Sequence, residues 1–168
     1  MFVLGIDPGV SRCGYAVLEE GRSGGGRAVA IGVLTTPASS PIHHRLAELQ
    51  RELRALLREF RPSAVAVERV LFSSNARTAM AVGQASGLAM AEAAAAGCEV
   101  VQYSPNEVKQ AVAGYGGATK AQVQRMVQTL LDLPAVPHPP DAADAAAVAL
   151  CHLAMAPLHA ATARRVGP

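Results

Sequence analysis

Phe2-Val3-Leu4-Gly5-Ile6-Asp7-Pro8-Gly9 decides how this chain is read. Five residues without a polar side chain are followed by an acid, a proline and a glycine. Such a run is a buried strand that stops in a turn. The next strand is expected at Gly14 to Leu18 and a third at Ala28 to Thr35. Between them Gly21 to Arg27, with Gly24-Gly25-Gly26, reads as a flexible hairpin loop. Three short strands with short connections predict an antiparallel meander.

Beyond the connector Pro37 to Pro41 the period changes. Ile42, Leu46, Leu49, Leu53, Leu56, Leu57 and Phe60 recur in steps of three and four, which predicts a helix ended by Pro62. Arg45, Glu48, Arg51, Glu52, Arg54, Arg58 and Glu59 fall on its other faces and read as solvated. Ala64 to Val67 is a fourth, buried strand that runs into Glu68. An Ala-rich helix is expected from about Ala76 to Ala96, stopped by Gly97, and a fifth strand from Glu99 to Tyr103. Ser104-Pro105 opens the next helix, and Thr119 with Gln122 matches a capping box in front of another. A last helix starts near Asp141 and fades by Pro157. The order is β-β-β-α-β-α-β-α-α, an α/β domain with a mixed sheet. Residues 1–156 are read as one domain and 157–168 as a disordered tail.

The chain has 168 residues, 51% of them hydrophobic and 17% charged, which excludes a disordered tail protein. Its start lacks a basic segment and meets Asp7 at once, so no secretory leader is expected. The longest candidate membrane span, Ala79 to Gly97, is interrupted by Gln84, Ser86 and Glu92. Three scattered cysteines, Cys13, Cys98 and Cys151, form no CxxC pair and fit a reduced, cytoplasmic setting. The five histidines form no ligand set, and His152 is read as a surface or satisfied core residue. A net charge of +2 says little about nucleic acid.

Scarcity makes the acids informative. Asp occurs only at 7, 132, 141 and 144, and Lys only at 109 and 120. Asp7 and Glu68 each end an apolar strand. A carboxylate there is costly unless it is paired or binds a cation. If the first and fourth strands are parallel neighbours, the two emerge side by side. Asp141 and Asp144, three apart at a helix start, share a face. Each has a plainer reading: Asp7 as a turn residue, Asp141 as an N-cap, Asp144 as a first-turn acid favoured by the helix dipole, and Glu68 paired with an arginine. Together the four would repel, and hard oxygen donors without His or Cys point to Mg²⁺, with Mn²⁺ as a substitute. Two such ions suit phosphodiester cleavage.

The sequence resembles the RuvC Holliday junction resolvases of the ribonuclease H-like superfamily. The stretches that carry the likeness are Gly5-Ile6-Asp7-Pro8-Gly9 with Gly14-Tyr15, Val67-Glu68-Arg69-Val70, Asn75 with Gly83-Gln84-Ala85, Val108-Lys109-Gln110-Ala111-Val112 through Gly114, Lys120-Ala121-Gln122-Val123, and Asp141-Ala142-Ala143-Asp144-Ala145. They span about residues 2 to 155. The resemblance implies a ribonuclease H-like sheet of three antiparallel strands and then two parallel ones, flanked by helices. It implies that Asp7, Glu68, Asp141 and Asp144 are a metal-binding catalytic tetrad. It also implies a homodimer, formed through the Ala76 to Ala96 helix, that nicks opposing strands of a four-way junction and leaves 5′-phosphate and 3′-hydroxyl ends. Family members work with the RuvA–RuvB branch-migration complex. By the same likeness Lys109 and Lys120 face DNA phosphate, and Arg69, Asn75 and Arg77 join the DNA surface. A loop aromatic wedges against junction bases. Where the family often has Phe first, this chain has Leu71 and then Phe72, so Phe72 is the expected wedge, assisted by Leu71.

Three other readings compete. A YqgF-type ribonuclease H-like protein acting on structured RNA shares the Gly-Ile-Asp-Pro-Gly start. A sugar-kinase or actin-like phosphotransferase shares the first loop but needs two such domains. A non-catalytic junction-binding protein would bind without cutting.

Overall fold

Strand alternation sets the architecture. In β1 (Phe2–Asp7), Leu4 and Ile6 face one way, while Val3, Gly5 and Asp7 face the other. β2 (Arg12–Glu20) and β3 (Gly26–Thr35) complete the antiparallel meander, with Asp7 opposite Gly14. β2 starts earlier than Gly14 and ends later than Leu18, because pairing with β3 carries its ends, from Arg12 to Glu20. After α1 (Ile42–Phe60), β4 (Ala64–Glu68) pairs parallel to β1 on its other edge, and Ile6 aligns with Val67. After α2 (Ala76–Ala95), β5 (Glu99–Tyr103) pairs parallel to β4. The sheet order is β3-β2-β1-β4-β5, three antiparallel strands and then two parallel ones, as expected. α3 (Pro105–Ala113), α4 (Lys120–Leu130) and α5 (Pro140–Arg165) follow. This computed structural model describes residues 1–21, 25–70 and 76–165, without the side chains of 76–78 and 157–165. Part of the expected loop after Gly21 therefore lies outside the described residues.

Each face of the sheet has its own core. Leu4, Ile6, Val65 and Val67 pack on Leu49, Leu53 and Leu57 of α1 and on Ala85, Ala89 and Ala93 of α2. Val3, Ala16, Leu18 and Ala66 pack on α5, with Val108, Val112, Val123 and Val127 behind it. α5 lies against the sheet centre because both surfaces are small. A Cβ at Gly5 would sit 2.2 Å from the Ala145 carbonyl oxygen, and one at Gly14 only 2.0 Å from that of Asp141. On the helix side the alanines at this contact are Ala145 and Ala149, both buried.

Three details differ from the sequence reading. α5 begins at Pro140, whose missing N–H costs nothing at the first helical position, so Asp141 lies inside the first turn and is not the N-cap. The helix also continues past Pro157 to Arg165, so the tail expected to be disordered from 157 is helical as far as Arg165, in a stretch whose alanines are good helix formers. Arg54 is not simply solvated: it donates to Glu92 at 2.6 and 3.0 Å and ties α1 to α2, with Gln50 on the same carboxylate. His152 is a satisfied core residue, 3.0 Å from the Tyr103 hydroxyl. The capping box of Thr119 and Gln122 is present, and Ser104 with Glu107 forms a second. Among the described residues no helix is long and apolar enough to cross a membrane.

A Cβ at position 5 meets backbone, which cannot swing aside. Gly5→Ala is therefore expected to cost about 3 kcal/mol or more, the upper range for overpacking, read as a lowered urea midpoint with an unchanged slope.

Candidate active site

Alternation carries the first two acids to one face. Asp7 follows Gly5, and Glu68 follows Ala66, both over α5. The register that aligns Ile6 with Val67 places the two carboxyl groups one step further along adjacent strands, where Asp7 hydrogen-bonds Glu68. α5, seated by the two glycines, brings Asp144 to the same place. Asp7, Glu68 and Asp144 line a cleft of about 350 Å³, closed on the far side by Pro105, Val108 and Lys109 of α3 and by Lys120 and Val123 of α4. A larger cavity of about 830 Å³ lies elsewhere, between the ends of α1 and α2. It holds no group that the cleft chemistry uses.

The electrostatics follow from this crowding. Burial first, and then the charges of Glu68, Asp144 and Asp141, push the Asp7 carboxyl up to about 8, against a smaller opposing pull from Lys120. Burial and Asp144 also raise Glu68, while the hydrogen bond from Asp7 and the two lysines oppose the rise. Lys120 Nζ lies 2.5 Å from Asp144 Oδ2. Burial lowers its ammonium, but that bond and the charges of Asp144, Asp7 and Asp141 outweigh burial and hold it above its ordinary value.

Asp141 stands at the margin. It does not line the cleft wall, although its charge reaches Asp7. Its Oδ2 lies 3.2 Å from Arg12 Nε, which is ion-pair distance without hydrogen-bond alignment, so this buried oxygen has no hydrogen-bond partner. Sequence reasoning missed Arg12. The signal was its parity: positions 12, 14, 16 and 18 share one strand face, and Ala16 and Leu18 mark that face as the α5 side.

The donor set suits a hard divalent cation: carboxylate oxygens, one of them buried without a donor, and a protonated Asp7 that an added positive charge would ionise. As they stand, no three or more His, Cys, Asp or Glu among the described residues are gathered to ring an ion. Asp144 is turned to Lys120 and Asp141 to Arg12.

Of the expected DNA-facing residues, Lys109 and Lys120 line the cleft. Arg69 is exposed, and its guanidinium meets the Gln102 carbonyl oxygen at 3.4 Å instead of the cleft. Leu71, Phe72 and Asn75 lie outside the described residues, as does the side chain of Arg77.

A five-stranded sheet of this order, with carboxylates at the ends of its two central parallel strands and on the helix across them, defines a ribonuclease H-like protein with an acidic cleft. Residues 3–152 match the family described as crossover junction endodeoxyribonuclease RuvC, and the chain belongs to that family. Relatives with that name include one from Syntrophomonas wolfei, 49% identical over 91% of this chain and 88% of its own. Another, from Chloroflexus aggregans, is 51% identical over 94% and 95%. The Thermus thermophilus RuvC structure superposes with a TM-score of 0.87 at 37% identity, covering 95% of this chain and 97% of that one. The same protein in complex with a Holliday junction substrate gives 0.86 at 35%, covering 94% and 96%.

The raised Asp7 predicts a pH dependence. In the unfolded chain this group ionises near 3.8, and in the folded chain near 8. Between those values the folded state holds the extra proton, so cation-free stability falls as pH rises. Asp7→Asn is expected to flatten that slope and to raise the melting temperature at pH 8 in chelator, by about 2–4 °C for each kcal/mol relieved. Calorimetry across pH 5 to 8 checks it.

Proposed function

We infer that the chain is a structure-specific endonuclease that resolves four-way (Holliday) DNA junctions by hydrolysing phosphodiester bonds in recombination and repair. The observation that carries this is the meeting of Asp7, Glu68 and Asp144 with Lys109 and Lys120 in one cleft of a RuvC-family chain. Relatives of about half identity carry the endonuclease name, which favours cutting over binding alone and DNA over structured RNA.

Asp7, Glu68 and Asp144 would hold divalent cations, with Asp141 as the fourth acid. Mg²⁺ is the ion we propose, two per site, with Mn²⁺ as a substitute. When bound, such ions activate water and stabilise the leaving 3′ oxygen. Water adds to phosphorus, the P–O3′ bond breaks, and the ends are 5′-phosphate and 3′-hydroxyl. Lys109 and Lys120 sit where a phosphate entering the cleft would meet them, and ammonium groups there fix its register without reading sequence. Arg69, Leu71, Phe72, Asn75 and Arg77, close after Glu68 in sequence, are proposed to extend the DNA surface, with Phe72 and Leu71 as the wedge.

We also propose a homodimer through α2, nicking opposing strands as a pair. Support comes from its uncovered face: Met80 is 66% exposed, and positions Gly83 and Gly87 open onto empty space that a second helix could approach closely. Cooperation with RuvA–RuvB, a single nuclease domain and a cytoplasmic setting with unpaired cysteines belong to the same reading.

A mobile synthetic four-way junction with Mg²⁺ is expected to show matched, ligatable nicks on opposite strands, abolished by chelator. Asp7→Asn should lower the cleavage rate about 10³-fold or more while junction binding persists, since cation-assisted steps supply several kcal/mol. Equal cutting of linear duplex or of structured RNA would overturn the substrate assignment. Lys109→Ala should weaken junction binding and reduce the salt slope of the affinity by about 1.

A further inference from the structure

We propose that Arg12 and Lys120 are built-in counter-cations of the acid cluster, and that divalent ions load the site by displacing them from Asp141 and Asp144. The inference rests on the reading of the four acids as a cation site and adds how that site is kept before the ions arrive.

Four observations meet here. Each acid of α5 has a basic partner from a different element: Asp144 has Lys120 at the start of α4, and Asp141 has Arg12 at the start of β2. Both basic side chains are mostly solvent-exposed, 63% for Lys120 and 59% for Arg12, while the acids are largely covered at 21% and 22%. The cations can therefore swing out into water while the carboxylates stay. The Arg12 contact is charge without hydrogen-bond alignment, leaving Asp141 Oδ2 unsatisfied and open to a better ligand. And, paired as they are, no three or more of the acids among the described residues gather to ring an ion.

The physical logic is competition for the same oxygens. Acids forced together by the fold destabilise it unless positive charge is supplied. Two side chains supply it in the cation-free chain. A divalent ion carries twice the charge and takes several oxygens at once, so it wins at sufficient concentration and releases the side chains. Lys120, once released, stands on the cleft wall it shares with Lys109, where a phosphate can take it up. Arg12 is not among the described residues that line the cleft, so its part is positioning: until an ion displaces it, it holds the Asp141 carboxylate at the margin.

The test is metal binding without DNA. Mn²⁺ is titrated calorimetrically into the full chain, wild type and Lys120→Met, Arg12→Gln and the double variant. The melting temperature is followed in chelator and in saturating Mg²⁺. Each single variant is expected to bind Mn²⁺ about fivefold or more tightly than wild type, and the double more tightly than either. In chelator each should melt lower than wild type, and Mg²⁺ should close the gap. Lys120→Arg and Arg12→Lys, which keep the charge, should bind as wild type does. An unchanged or weakened affinity in a single variant, with wild type binding normally, overturns the assignment for that residue and leaves the cation site standing. No Mn²⁺ binding by any form overturns the cation site itself, and this inference with it.

Discussion

The approach of α5 to the centre of the sheet is the constraint on which the rest depends. Gly5 and Gly14 leave no side chain between the strands and the helix backbone, and the helix answers with alanines. The gap is set by backbone, which does not relax as a side chain would. Asp141 and Asp144 sit in the first two turns of that helix, so their distance from Asp7 is fixed by two glycines and a run of alanines. The alanine content of α5 is thus part of the site's construction.

The same contact creates an electrostatic difficulty. Carboxyl groups from two strands and a helix converge in a half-buried cleft, and the first of them holds its proton to about pH 8. Packing on both faces of the sheet carries that cost: Leu4, Ile6, Val65 and Val67 lock one side, Val3, Ala16 and Ala66 the other. If the acids hold cations as proposed, a core packed on both faces would let a cation be bound without refolding around it.

Much of this was legible in the sequence, and the reasons are specific. The strands were legible because three of their apolar runs, those of β1, β2 and β4, meet an acid, and the other two meet a proline within two residues of the strand's end, and α1 because its leucines keep a strict helical period. Asp7 and Glu68 could be paired by reasoning from strand ends alone. The start of α5 misled because Asp after Pro-Pro suits an N-cap equally well, and only the backbone shows that Pro140 takes the first helical position. The Arg54 link to Glu92 and the Arg12 link to Asp141 join residues 38 and 129 positions apart. No local pattern encodes such a distance. Parity along β2 hinted at the second, yet parity needs to know which face is which, and that depends on where α5 packs.

The site's position follows from topology as well as packing. β1 is where the sheet changes from antiparallel to parallel pairing, and its carboxyl end, like that of β4, opens toward the loops and helices that follow. Ligand sites of α/β sheets gather at such strand ends. Here the helices after β5 return over that end and bring Lys109 and Lys120, the chain's two lysines, across from the acids. Acids come from the strands and α5, and ammonium groups from α3 and α4. A cleft with one charge on each wall can hold cations against one side and a polyanion against the other. Under the proposed function neither wall would serve alone: acids would repel a phosphate, and lysines would bind it without a means of cutting it.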